Sequence, residues 1–308
     1  MKTKNLNLKA KNCGNRQSRF SSLVLHFSFF VLLFCASCSS ASVQNSAPQT
    51  EQTNPNSVDS ILEKLNQKTK DLKTYQGQIE YRYVQPSVFY TQTLRKGVLY
   101  FQKNDSTSNL RVNFQTLQQD DDEEQKKEEQ YIIVDGSLLG TRITSDERRF
   151  EGLWLIILDY DSKSCIYKQL THAGEPNKPV DIFELVSKKF PIVGFIKAER
   201  LKEQFEITIP EKKKDEPEDL TQVQFKVKPS SIYEAKYVQI DCWIDEKSNL
   251  PVKIKAISTE PEDETPEKKD LSEIKFLKAQ INEKIDRKVF DFQIPKGFDE
   301  PEIYPLEN

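Results

Sequence analysis

Cys38 is the residue whose neighbours most directly suggest chemistry. Six basic side chains and no acid lie between residues 2 and 19, and residues 23–34 are almost wholly apolar. Residues 34–40 then read Phe-Cys-Ala-Ser-Cys-Ser-Ser, so that small residues precede the second cysteine. This order is typical of a lipoprotein signal. It predicts an export signal over residues 1–37 and acylation of Cys38 on its thiol and its amine.

A second interpretation of this segment stays open. Cys35 stands three positions before Cys38, where leucine is usual in a lipoprotein signal, and cleavage near Ser37 or Ala41 would leave the cysteine unmodified. Residues 38–57 are mostly Ser, Ala, Gln, Asn, Thr and Pro, which predicts a flexible tether. A body anchored at Cys38 needs such a spacer. We therefore expect an exported, periplasmic protein that is lipid-anchored to a membrane through Cys38.

The rest of the chain offers little catalytic or metal-binding chemistry. Its histidines are His26, inside the export signal, and His172, in a loop-like stretch. The sequence contains no Gly-x-Ser-x-Gly motif, no Gly-rich phosphate loop and no pair of histidines at metal-ligand spacing. We therefore predict a protein that is not an enzyme and that uses no cofactor and no metal.

The charge balance argues against nucleic acid as a partner. The 308 residues include 45 Lys and Arg and 48 Asp and Glu, and the export signal takes six basic residues and no acid with it. The remaining chain has a formal charge of about −9, which does not favour phosphate backbones. Acidic and basic residues are concentrated at 120–129, 211–219 and 260–270, which we interpret as solvated hairpin insertions.

Cys165 and Cys242 are the cysteines left after Cys38. An oxidising compartment would allow a disulfide between them, while two buried free thiols would serve equally well as small apolar side chains. The sequence leaves both possibilities open.

The hydrophobic pattern predicts one N-terminal helix followed by many strands. Residues 58–74 place leucines and an isoleucine on one helical stripe. Beyond residue 77 the period changes to two, with apolar side chains alternating with polar ones at 79–83, 110–114, 205–209, 223–227, 238–244, 252–256 and 290–294. Such alternation is typical of antiparallel strands with one buried face. About ten strands of this kind should form a sheet that curls.

The segment from 179 to 205 interrupts this pattern. It predicts a helix over 181–188 capped by Asp181, an apolar loop over 190–195 and a short helix over 198–204. These helices should cover the concave face of the sheet. From the residues alone, that face could hold either a cavity for an apolar ligand or a filled core.

The order of these elements resembles the outer-membrane lipoprotein carrier family, of the LolA and LolB type. Residues 244–254 read Ile-Asp-Glu-Lys-Ser-Asn-Leu-Pro-Val-Lys-Ile and residues 289–298 read Val-Phe-Asp-Phe-Gln-Ile-Pro-Lys-Gly-Phe, which are similar to the family's Leu-Pro turn and closing motif. Residues 97–103 resemble its glycine-led strand. The resemblance extends over about residues 58–300. The family's Asp-Gly-x-x-Leu-Trp segment has two counterparts here, at 135–139 and at 152–154, one of which must be an insertion.

The resemblance implies a mainly β (α+β) fold over residues 58–308. We expect a single domain in which a curled antiparallel sheet forms an incomplete β-barrel, with an N-terminal helix and with helices over its concave face. By analogy with the family, Lys103 and Arg111 are candidates for the lid and cavity mouth, although alternation directs Arg111 toward water. The candidate cavity-lining residues are Leu99, Phe101, Val112, Phe114, Trp154, Ile156, Phe183, Leu185, Phe190 and Phe195.

The resemblance also implies a function without covalent chemistry. The protein would be a carrier or acceptor that shelters acyl chains and moves lipoproteins toward the outer membrane. Its partners would be lipoproteins or other acylated lipids, an inner-membrane transporter and an outer-membrane acceptor, and the protein itself would be a monomer. The alternative is an envelope sensor or structural lipoprotein that uses the same fold to bind a protein partner.

Overall fold

A computed structural model describes residues 57–86, 90–103, 108–137, 139, 150–172, 182–187, 190–212, 216–259 and 269–306. The predicted export signal, Cys38 with its tether, and Asp181 lie outside these residues.

A single twelve-stranded sheet forms the framework of the described chain. Its strands are β1 (Thr74–Gln85), β2 (Thr91–Lys103), β3 (Ser108–Gln119), β4 (Gln125–Asp135), β5 (Leu153–Asp159), β6 (Ser164–Gln169), β7 (Phe205–Thr208), β8 (Leu220–Val227), β9 (Tyr237–Asp245), β10 (Leu250–Ser258), β11 (Leu271–Ile281) and β12 (Glu302–Tyr304). They lie in the order β12-β6-β5-β4-β3-β2-β1-β11-β10-β9-β8-β7. All neighbours are antiparallel except β12, which pairs with β6 in parallel.

The sheet is not closed into a barrel, because β12 and β7 remain as its edges. Side chains from β1–β4 and from β7–β11 nevertheless meet in one hydrophobic cluster, so distant strands curve around a shared interior. The predicted mainly β fold with an open, curled antiparallel sheet is thus confirmed.

The N-terminal helix α1 (Val58–Asp71) packs into this interior. The Ser57 hydroxyl caps its first turn by accepting a hydrogen bond from the Ser60 amide at 3.2 Å. Leu62 and Leu65 are each 1% exposed, as the predicted apolar stripe requires. The helix ends three residues earlier than predicted, because Leu72 already adopts an extended conformation that leads into β1.

Two more helices cross the concave face between β6 and β7. They are α2 (Ile182–Ser187) and α3 (Ala198–Gln204), and a 3₁₀ turn at Val193–Phe195 lies between them. Residues 182–187 and 190–204 together are called the cover below. The predicted helix over 181–188 is therefore confirmed over its described part, and α3 has the predicted bounds.

A second hydrophobic cluster lies on the opposite face, at the β4–β6 end of the sheet. Successive residues of β4 point to opposite faces of the sheet. Ile133 belongs to the first cluster, and Ile132 and Val134 belong to the second. The C-terminal segment, residues 283–306, covers the second cluster with Phe292, Ile294, Phe298 and Ile303.

The strand expected at 290–294 is absent from this described segment. Its alternating apolar residues instead reach over the sheet, and the ring of Phe292 lies 5.8 Å from that of Tyr167 on β6. The prediction was wrong because period-two alternation also suits an irregular segment that lies along an apolar surface.

The charge-rich stretch at 120–129 joins β3 to β4. Residues 120–124 form the connection, whereas residues 125–129 already belong to β4 and extend the hairpin. Residues 213–215 and 260–268, within the other two charged stretches, lie outside the described part of the chain.

Cys165 and Cys242 are both free and buried. Cys165 belongs to the second cluster and Cys242 to the first, so the sheet separates the two thiols. Burial raises the pKa of the Cys165 thiol to about 11 and also raises that of Cys242. Both thiols are therefore protonated at neutral pH.

We expect neither thiol to react in the folded protein. Since the thiolate is the reactive form, iodoacetamide at pH 8 should label Cys165 and Cys242 only after denaturation. Peptide mass mapping with a second, heavy alkylating reagent added in guanidinium gives the measurement. A peptide pair linked through these two cysteines, or fast labelling without denaturant, would contradict the structure.

Candidate functional site

The middle of the cover is an apolar segment that is pressed directly onto the sheet. Residues 191–196 are all buried, although only the turn at 193–195 has regular structure. Gly194 allows this close approach, since a Cβ at that position would lie 2.6 Å from Pro251 Cγ and 3.1 Å from Cys242 Sγ. Any larger residue would push the segment away from β9 and β10.

An inner aromatic cluster fills the interior next to α1. Its members are Tyr75, Phe101, Phe183, Phe195 and Phe276. The Phe195 ring stacks on Phe183 at 4.9 Å and meets the edges of Phe276 at 5.6 Å and Tyr75 at 6.3 Å. Each such pair contributes roughly 0.5–1.5 kcal/mol beyond area burial. The cover is therefore firmly seated at this end.

An outer aromatic group closes the other end of the cover. It consists of Tyr81, Phe114, Tyr131 and Phe190. The half-buried Phe190 ring meets Tyr81 at 6.0 Å and Tyr131 at 5.8 Å, and Phe114 meets Tyr131 at 6.1 Å. One side chain of the cover thus contacts rings from both β1 and β4.

A small apolar hollow lies beneath the cover, beside the outer aromatic group. It is lined by Ile79, Tyr81, Leu99, Leu110, Val112, Phe114, Val186, Phe190, Ile192 and Ile274. Its volume is about 30 Å³, which leaves room for only one or two water molecules. An acyl chain cannot enter the hollow unless the cover moves.

The structure brings four of the ten expected lining residues to the hollow, namely Leu99, Val112, Phe114 and Phe190. Phe101, Phe183 and Phe195 lie in the adjoining inner cluster.

Trp154 and Ile156 lie on the opposite face of the sheet. Both belong to the second hydrophobic cluster, while Leu155 between them packs against the first. Directly paired residues of neighbouring strands point to the same face of the sheet. Ile156 pairs with Ile132 and Trp154 with Val134, so both share the face of the second cluster. Leu185 is half-buried and belongs to neither cluster.

Sequence reasoning overlooked Ile79, Tyr81, Leu110, Val186, Ile192 and Ile274 as lining residues. Alternation placed the first three on a buried strand face, so a signal for them existed. Ile274 was missed because β11 loses its pattern halfway, where four consecutive residues from Leu277 to Gln280 are exposed.

Lys103 lies at the C-terminal end of α1. Its Nζ donates to the carbonyl of Lys70 in the last helical turn at 3.1 Å, where a cation also complements the helix dipole. The hydrogen bond of its side chain is thus to α1 and not to the cover.

Arg111 fastens the C-terminal segment to the outer face of the sheet. Its Nη1 donates to the Val289 carbonyl at 2.6 Å, its Nη2 to Gln130 Oε1 at 2.7 Å and its Nε to Asn113 Oδ1 at 2.8 Å. Alternation directed this side chain toward water, but residues 289–291 lie over it, and burial lowers its pKa. Neither Lys103 nor Arg111 lines the hollow.

A charged pair stands at the edge of the outer aromatic group. Arg95 on β2 forms an ion pair with Glu129 on β4, and Glu129 Oε1 also accepts a hydrogen bond from the Tyr131 hydroxyl at 2.5 Å. Burial raises the pKa of Tyr131, so the hydroxyl stays protonated and donates. We call Arg95 and Glu129 the rim pair.

Within the described ranges, no three His, Cys, Asp or Glu side chains are grouped as a metal site requires. His172 is exposed. None of the helices in the described chain combines the length and hydrophobicity that crossing a bilayer needs. The chemistry that the site offers is apolar contact, with one guanidinium and one carboxylate at its edge.

No protein-family model matches this sequence, and no curated protein matches it. Structural neighbours include a putative outer-membrane lipoprotein-sorting protein domain from Vibrio parahaemolyticus, with 9% identity over 75% of this chain and 95% of that one and a TM-score of 0.33. A LolA superfamily protein from Nitrosomonas europaea is 12% identical over 75% of this chain and 96% of its own, with a TM-score of 0.31.

The Pseudomonas aeruginosa MucA/MucB complex also contains a neighbour. It is 10% identical over 76% of this chain but 60% of that one, with a TM-score of 0.36. Since all three TM-scores are below 0.5, these likenesses do not assign a function. The geometry of the hollow and its surroundings must do so.

Replacing Arg111 should loosen the C-terminal segment specifically. R111M keeps the length of the side chain but removes every donor, so it should cost roughly 1.5–3 kcal/mol of stability, the scale of hydrogen bonds to a charged group. Hydrogen exchange over residues 286–304 should accelerate in R111M, while exchange in α1 should not. R200M, which removes an exposed ion-pair donor on α3, is the matched control and should leave stability nearly unchanged. Equal effects of the two variants would contradict the role of Arg111.

Proposed function

We propose that this protein is an envelope carrier or acceptor that shelters acyl chains between the sheet and the cover. It binds lipoproteins or other acylated lipids and moves lipoproteins toward the outer membrane, with no covalent chemistry. The observation that carries the proposal is the hollow itself. Ten apolar or aromatic side chains line it, and the half-buried Phe190 closes it.

The way in which the cover is attached supports its movement. Lys202 forms an exposed ion pair with Asp59 of α1 at 2.7 Å, of the kind that contributes about 0–1 kcal/mol. Arg200 pairs with Glu184 at 3.0 Å, but both residues belong to the cover, so this pair does not attach it to the rest of the chain. The Ser187 hydroxyl shares a buried hydrogen bond of 2.7 Å with Tyr233. Most of the cohesion therefore comes from apolar contact.

Apolar contact of this kind can be exchanged for a ligand. When an acyl chain displaces the Phe190 end of the cover, the exposed strand face regains contact with methylene groups, at about 25 cal/mol per Å² of surface removed from water. The inner aromatic cluster meanwhile holds the other end of the cover in place. Cargo would pass to whichever host offers more apolar contact, since transfer follows the difference in affinity.

The anchor decides between the two roles. An acylated Cys38 with the tether at 38–57 would keep the protein at a membrane, as an acceptor needs. A chain released by cleavage near Ser37 or Ala41 would act as a periplasmic carrier that meets a transporter and an acceptor in turn.

The small volume of the hollow favours one second candidate. If the interior stays closed, the protein would be an envelope sensor or structural lipoprotein that binds a protein partner through its surface. The two candidates differ in whether the interior takes up an acyl chain.

A matched pair of substitutions tests uptake by the hollow. The full-length protein should enhance the fluorescence of N-phenyl-1-naphthylamine and of a BODIPY-labelled fatty acid. V112F places a ring in the hollow and should weaken probe binding at least tenfold, about 1.4 kcal/mol. V98F adds the same ring on the opposite face of neighbouring β2 and should leave binding unchanged.

Two results would reject the acyl-binding proposal. One is the absence of probe uptake by the unsubstituted protein. The other is an equal loss in V112F and V98F while both variants remain folded by circular dichroism.

Acylation of Cys38 is tested separately, by intact mass. Protein extracted from membranes with mild detergent should begin at Cys38 and carry the mass of attached acyl groups, whereas C38A should be recovered unmodified from the soluble fraction. A chain that begins at another residue without added mass would make the protein a released carrier.

A further inference from the structure

The rim pair places two opposite charges beside an apolar hollow, on strands that belong to a continuous backbone ladder. The backbone ladders of β2–β3 and β3–β4 already join these strands. The side chains of Arg95 and Glu129 are only 29% and 15% exposed. Partial burial of two charges carries a desolvation cost that an ion pair offsets only in part, so such a pair is weak evidence for a role in stability.

Both charges touch residues that line or close the hollow. Arg95 pairs in register with Tyr81, and its guanidinium carbon lies 5.9 Å from the ring centre of Phe114. Glu129 accepts the hydrogen bond from Tyr131, the ring that Phe190 packs against. Polar groups therefore begin where the apolar lining ends.

The rim already binds a carboxylate, namely that of Glu129. One guanidinium and one tyrosine hydroxyl hold it, which is a suitable donor set for an anion. Glu129 accepts from Nη1 of Arg95, whereas a guanidinium has five N–H donors. Arg95 is also the more exposed member of the pair, so its fork can receive a second anion or exchange Glu129 for it.

We propose that the rim selects amphiphiles with one anionic head group, a carboxylate or a phosphate, whose alkyl chain enters the hollow. Arg95 binds the head group, and Glu129 is the internal carboxylate that competes for it. This inference rests on the function proposed above. The acidic chain attracts no anion at long range, so recognition depends on this one local cation.

Competition experiments with three twelve-carbon ligands test the inference on the full-length protein. Dodecanoate, dodecyl phosphate and the uncharged dodecanol each displace N-phenyl-1-naphthylamine, below their critical micelle concentrations. R95Q should weaken the binding of the two anions about tenfold, which is the scale of one charge-assisted hydrogen bond, and should leave the binding of dodecanol unchanged. E129Q should strengthen the binding of both anions several-fold, because the internal carboxylate that competes for Arg95 loses its charge. If R95Q weakens the binding of only one of the two anions, the head group of that anion is the one that Arg95 recognises.

The matched control is K96Q, which neutralises the next residue of β2. Lys96 points to the other face, where it pairs with Glu124, so all three ligands should bind to K96Q as to the unsubstituted protein. If dodecanol binds but R95Q weakens no anion, or weakens all three ligands equally, the head-group inference is wrong while the hollow stands. If none of the three ligands displaces the probe, both proposals fail.

Discussion

The seating of the cover on the concave face is the contact on which the rest of the structure depends. A sheet with this many apolar inward side chains exposes a large apolar surface until something covers it. Phe195 meets this need at the centre, where it contacts rings from α2, β1 and β11. Gly194 beside it lets the backbone approach Pro251 and Cys242 closely. The position of the cover, and with it the size of the hollow, follows from how the cover is held there.

The alternation of side chains was enough to predict much of this architecture. A strand with one dry face assigns each residue to a side, so the buried positions of Ile79, Leu110 and Ile254 were readable from the sequence. The same rule could not exclude Trp154 and Ile156 from the concave face. It failed to do so because a strand that is apolar on both faces, as β5 is from Leu153 to Leu158, shows no polar alternate to mark the outside. The family resemblance then supplied a side that the residues did not specify.

Other features depend on contacts between residues far apart in sequence and were out of reach. The position of Arg111 is decided by residues 289–291, some 180 positions later, which cross the outer face without forming a strand. The volume of the hollow is likewise a small difference between the space that nine strands enclose and the space that the cover fills. Neither composition nor periodicity measures such a difference. The helices of the cover were predictable; how tightly they close was not.

The division of the interior into two ends suggests how a closed structure can still bind a ligand. Rings at the α1 end form one contiguous group in which Phe195 contacts Tyr75, Phe183 and Phe276, so displacing it would expose several aromatic faces at once. At the rim, one half-buried ring, Phe190, separates the hollow from polar groups, and the strand side chains beneath it do not interdigitate completely. Moving Phe190 breaks two ring contacts, whereas moving Phe195 breaks three. On the function proposed above, the cover would open first at the Phe190 end, and an entering chain would leave its head group beside Arg95.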